Sequence, residues 1–130
     1  MAVQVIQIPW TSDLEPQLSR ALGEYLPDIR EEVAQGTCQL FQVGECLAVT
    51  RCEGTRTGRE LVGVALVGHN AKAAVKAIER IAIANHCDTA RIHCQNPAIA
   101  RLYRQTGQDW HEVERVYRLD LTEVKHGRTQ

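Results

Sequence analysis

The chain has 130 residues, 44% of them hydrophobic, with 15 Lys and Arg against 16 Asp and Glu. That length suits one domain with a real core, and a net charge near zero argues against wholesale binding to nucleic acid or to an anionic membrane surface. The longest apolar run is too short to span a bilayer, and the opening MAVQVIQIPW lacks a basic segment ahead of an apolar core, so no membrane contact and a cytoplasmic location are expected.

The first stretch, VQVIQI, alternates Val and Ile with polar residues and predicts a strand that ends at Pro9. TSDLEPQLSRALGEYL follows, with Thr11, Ser12 and Asp13 as candidate caps and Leu14, Leu18, Ala21, Leu22 and Tyr25 at helical spacing. A shorter helix over about residues 28–35 starts behind Pro27 and stops at Gly36. Three strand-like runs come next, TCQLFQV, CLAVTRC and ELVGVALV, joined by GE and by the polar EGTRTGR, which are hairpin signals of different lengths. The third run is continuously apolar from Leu61 to Val67, as expected of a central strand covered on both faces.

A long helix is predicted from about Asn70 to His86, with Ala71, Ala74, Val75, Ile78, Ile81 and Ala82 on one arc. Then come ARIHCQ as a strand and NPAIARLYRQTG as a short helix with an Asn cap, Pro in its first turn and a terminal Gly. HEVERVYRLDL, with alternating Val113, Val116 or Tyr117, Leu119 and Leu121, predicts a last strand. The order is β-α-α-β-β-β-α-β-α-β. A strand, crossover helix and strand over Leu61 to Gln95 implies two parallel neighbours, while the earlier hairpins are antiparallel. The expected fold is an α/β (α+β) mixed sheet with helices on both faces, spanning residues 1–122 as a single domain, followed by a polar tail, 123–130.

Five cysteines, Cys38, Cys46, Cys52, Cys87 and Cys94, include no Cys-x-x-Cys pair, so neither a disulfide framework nor a metal site is predicted. His93 and Cys94 are adjacent, and neighbours in a strand point to opposite faces, which argues against a shared catalytic role.

Element order and the NPAIARLYRQTG segment together resemble the GNAT superfamily of acetyl-CoA-dependent N-acyltransferases, whose late motif is N-x-x-A-I-x-L-Y-x-x-x-G-F. Asn96, Leu102, Tyr103 and Gly107 match in register; Ile99 and Ala100 hold the Ile and Ala in swapped order, and Gln108 replaces Phe. The resemblance implies that Asn96 would lie beside the CoA arm and that the Tyr103 hydroxyl would protonate the departing thiolate. The residues alone also explain Asn96 as a helix cap and Tyr103 as a packed ring.

The family also carries R/Q-x-x-G-x-G/A between the central strand and the long helix, where glycines let backbone N–H groups reach the CoA pyrophosphate. The corresponding residues here are Leu66, Val67, Gly68, His69, Asn70 and Ala71, of which only Ala71 fits; Gly68 is out of register by one. Lys72 and Lys76, one turn apart, could supply compensating charge or form a solvated basic stripe with Arg80. The candidate cofactor-binding residues are therefore Gly68, His69, Asn70, Ala71, Lys72 and Asn96, and the candidate catalytic residue is Tyr103. No general base stands in the central strand: Glu60 lies at its entrance, where a solvated carboxylate is expected, and His69 sits in the phosphate turn.

The chain is similar in size, in the ANHC to GQDW segment and in its missing glycine loop to small GNAT-like proteins of tailed bacteriophages. That resemblance implies a non-catalytic, protein-binding or virion-associated component, in the host cytoplasm or the virion, with no bound cofactor. The alternative is an active acyltransferase using acetyl-CoA. On the long helix, Ile83 falls within the polar arc of Lys72, Lys76 and Glu79, so the Lys76/Glu79/Ile83 face is the expected contact with a protein partner or a second copy.

Overall fold

The computed structural model describes residues 3–93 and 97–122, with only the backbone of 97–100. The strands are β1 (Val5–Gln7), β2 (Gln39–Val43), β3 (Cys46–Thr55), β4 (Gly58–Gly68) and β5 (Thr89–Ile92). The helices are α1 (Glu15–Leu22), α2 (Leu26–Gln35), α3 (Ala71–Ala84) and α4 (Pro97–Arg104). The strands form a single mixed sheet in the order β1-β2-β3-β4-β5, antiparallel as far as β4. β5 is parallel to β4, from Glu60 opposite Thr89 to Gly63 opposite Ile92. The expected crossover through the long helix is thus present.

One apolar cluster packs beneath α3 and joins Ala74, Ile78, Ile81 and Ala82 to Phe41, Cys46, Ala48 and Leu61 of the sheet. On the opposite face, Leu18, Leu22 and Ile29 of α1 and α2 meet Leu40, Leu47 and Val49. Burying each of the Leu, Ile, Val and Phe side chains among these contributes about 1.5–3 kcal/mol, so the two clusters, rather than helix propensity, hold the helices on the sheet. The apolar arc expected of α3 is the buried one, with Ala77 added and Ala71 at its edge.

A bulge shapes the middle of the sheet. Val49 pairs with Ala65 but Thr50 with Gly63, which leaves Val64 as the extra residue in β4. Val64 and Ala65 consequently both pack on the α1/α2 side, and Leu66 returns to the α3 side. Pairing with β5 ends at Gly63, immediately before the bulge, so residues 64–68 of β4 keep β3 on one side and have no strand on the other among the described residues.

Three expectations are corrected. The first long helix is broken: Ser12–Leu14 is a 3-10 turn, α1 ends at Gly23, whose φ is 53°, and a second 3-10 turn covers Gly23–Tyr25. Tyr25 is therefore 58% exposed instead of lying on the apolar arc, and no side chain among Thr11, Ser12 and Asp13 caps α1, whose N-cap is Leu14. The second helix begins at Leu26, with its Pro in the first turn. The last predicted strand is not formed: residues 109–121 run beyond α4 without a sheet partner, and Val113, Val116, Tyr117 and Leu119 are 70 to 85% exposed. Alternation makes a segment fit for a sheet; it does not supply an edge, and β5 is only four residues long. The polar tail, 123–130, lies outside the described residues.

Candidate functional site

The turn from β4 into α3 brings Gly68, His69, Asn70, Ala71 and Lys72 together in sequence and space. Gly68 has φ of 133°, and a Cβ there would lie 2.5 Å from the Glu45 carbonyl oxygen and 2.8 Å from the Cys46 Cα. This glycine is thus required by the close approach of the β2–β3 hairpin. The Cys46 thiol, fully buried, donates to the His69 carbonyl at 2.9 Å and fixes the next peptide as well. Burial, and secondarily the charge of Glu45, push that thiol up, so it remains a donor at neutral pH.

Asn70 sits in the left-handed region, φ 60° and ψ 49°, and its side chain makes no capping bond to α3. Asn tolerates this conformation better than most residues. The first turn of α3 thus lacks a side-chain cap and carries exposed Lys72, whose charge opposes the helix dipole. The expected basic stripe is present: Lys72, Lys76 and Arg80 are all exposed, and the Arg80 guanidinium also donates to the Val3 carbonyl, which ties α3 to the N-terminal segment.

Tyr103 lies on α4, half-buried, with its ring packed against Trp110 at a centroid distance of 5.4 Å and an interplanar angle of 35°. Gln108, in the position of the usual Phe, donates to the Lys76 carbonyl at 3.0 Å and the Glu79 carboxylate at 3.2 Å, and accepts the Trp110 indole N–H at 2.7 Å. The segment after α4 is thereby tied to α3 by polar bonds. Neither Gln108 nor Trp110 was marked as a site residue by the sequence; the signal was the departure from the motif at 108. Asn96 and Cys94 lie outside the described residues. His93 is 65% exposed, 3.8 Å from Glu114.

Glu60 is not the solvated carboxylate expected at the strand entrance. It accepts from Thr89 at 3.0 Å and pairs with Arg91 at 3.1 Å; Arg91 also pairs with Glu53, and Glu53 with Arg51, each at 3.0 to 3.1 Å. These four charges form a ladder across β3, β4 and β5, so Glu60 is held in place as a structural partner. A groove bounded by Ile83, Cys87, Asp88, Ala90 and Trp110 lies at the other end of α3 from the phosphate turn.

With this geometry in place, comparison with known proteins identifies the fold. Neither a family model nor a curated protein matches the sequence. Solved structures do match. The ribosomal-protein-alanine N-acetyltransferase of Brucella melitensis biovar Abortus 2308 superposes with a TM-score of 0.64 at 16% identity, over 92% of this chain and 100% of that one. An aminoglycoside antibiotic 6′-N-acetyltransferase of Acinetobacter baumannii gives 0.63 at 14% identity, over 92% and 97%. An aminoglycoside acetyltransferase from an uncultured soil metagenomic sample gives 0.63 at 13%, over 91% and 97%. The fold is that of the GNAT N-acetyltransferases, as the order of elements and the late motif implied. No helix among the described residues is long and apolar enough to cross a membrane.

Proposed function

We propose that this chain is a GNAT-fold protein that has given up acyl transfer and serves as a protein-binding or structural component, of the kind its resemblance to small tailed-phage proteins implies. The observation that carries this reading is Gly68. In an acyl-CoA site the glycines of this turn would open it to a pyrophosphate, whereas here the glycine accommodates Glu45 and Cys46 of the protein itself. With Leu66 in place of the basic or amide residue, a charged hydrogen bond is missing too. Together these losses cost on the order of 3 kcal/mol, or a hundredfold in affinity. The contact surface in this reading is the outer face of α3, where Lys76 and Glu79 are exposed and Ile83 is 65% exposed.

A second reading, an acetyl-CoA-dependent N-acyltransferase acting on a small-molecule or protein amine, is favoured by one feature. The edge of β4 over residues 64–68, which has no strand beside it among the described residues, offers backbone donors and acceptors to an extended amide-bearing molecule, in the manner of strand addition. This edge fits the arm of the cofactor; the turn that follows does not fit its pyrophosphate. Acetyl-CoA would then supply the acyl group.

Isothermal titration with CoA and acetyl-CoA at millimolar ligand separates the two. No saturable heat is expected. A micromolar dissociation constant would overturn the non-catalytic reading; Lys72→Ala should then weaken binding sharply, and Tyr103→Phe should slow turnover with little change in affinity.

A further inference from the structure

Two thiols meet at the opposite end of α3 from the phosphate turn. Cys52 lies on β3 opposite Leu61, and Cys87 follows the end of α3, its N–H bonded to the Ala82 carbonyl at 2.9 Å. Their sulfurs are 3.7 Å apart. Backbone anchors fix that distance: the Asp88 N–H donates to the Arg59 carbonyl at 2.8 Å, and the Arg59 N–H donates to the Asp88 carboxylate at 3.0 Å. Burial and the neighbouring Cys52 push the Cys87 thiol up while Arg59 draws it back, which leaves Cys87 a thiol at neutral pH. Cys38 and Cys46, in contrast, are buried in the two cores. Cys87 lines the groove beside Trp110 and Asp88, which gives a small reagent a route to it.

We propose that Cys52 and Cys87 form a reversible thiol–disulfide site that takes a small disulfide, of the glutathione disulfide class, as its oxidant. The Cys87 thiol gives its proton to solvent and its thiolate attacks one sulfur of the oxidant; that S–S bond breaks, and one small thiolate leaves. The Cys52 thiolate then attacks the Cys87 sulfur of the mixed disulfide and expels the second small thiolate. Two protein thiols are oxidised, one small disulfide is reduced to two thiols, and the protons pass through solvent. A bonded pair is about 2.05 Å apart, so the sulfurs close by about 1.7 Å. The new bond ties the sheet to the far end of α3 across β4 and rebuilds one wall of the groove.

The test uses the full chain incubated with millimolar glutathione disulfide, quenched by alkylation and read by intact mass and peptide mapping. The expected product has lost the two thiol hydrogens, yields a Cys52–Cys87 linked peptide, melts roughly 10 °C higher than the reduced chain and reverts with dithiothreitol. Cys94→Ser should give the same product; Cys52→Ser should stop at a glutathione adduct on Cys87. Accumulation of glutathione adducts on the wild type without the linked peptide would overturn the proposal, as would a linked peptide containing Cys94. Peptide mapping of the wild type decides the matter even if a cysteine variant fails to fold.

Discussion

An alanine at position 68 would drive a methyl group into the Glu45 carbonyl while holding a backbone conformation that L residues rarely adopt. Gly68→Ala should therefore destabilise the chain by about 2–4 kcal/mol in urea denaturation, without any cofactor present. Unchanged stability would return the glycine to a role in ligand approach. The sequence marked Gly68 as the one glycine of an otherwise eroded turn, but its partner lies more than twenty positions earlier, and a contact of that range leaves no local pattern. The same holds for Cys46, which in sequence is one of five cysteines with no Cys-x-x-Cys pair and in space holds the His69 peptide. Glu60 shows the converse: its place at a strand entrance was legible, but the Arg91 that neutralises it comes from another strand.

At the scale of elements, α1 is anchored at its first turn. The Glu15 carboxylate accepts from the Trp10 indole at 2.8 Å and from Arg30 on α2 at 3.0 Å. The indole hydrogen bond, then the guanidinium, hold this carboxyl below its ordinary range. A carboxylate with a depressed folded-state pKa contributes stability above its unfolded pKa, and the contribution is lost as pH falls through the folded value. Thermal melts of wild type and Glu15→Gln, taken from neutrality down to about pH 3, should show the wild-type advantage shrinking through and below the ordinary carboxylate range; a constant difference would refute the assignment. Elements with one dominant periodicity were legible: the α3 arc, the apolar β4 and the hairpins before it all fold as their patterns imply. The first long helix was not, because its apolar spacing continues past Gly23, where the backbone turns to positive φ. The bulge at Val64 was equally hidden, since a run with no polar residue carries no alternation from which a slip could be read.

For the whole molecule, the sheet parts at the bulge, and α3 shows its charged face outward next to the groove. Ile83→Asp should leave stability within about 0.5 kcal/mol, since the side chain is 65% exposed. If the α3 face joins two copies, size-exclusion chromatography with light scattering should show the mutant at a lower mass than wild type; equal masses, with the mutant still entering any assembly the wild type joins, would exclude this face as the interface. The stretch beyond α4 has a different consequence, one that belongs to solution behaviour. Val113, Val116, Tyr117 and Leu119 stand in solvent on a chain whose formal net charge is −1 at pH 7. Long-range repulsion between copies is then weak while short-range apolar attraction is strong. Static light scattering should accordingly give a negative osmotic second virial coefficient near neutral pH, little altered by added salt, and Val116→Lys with Leu119→Lys, which removes apolar surface while the net charge stays small, should make it less negative.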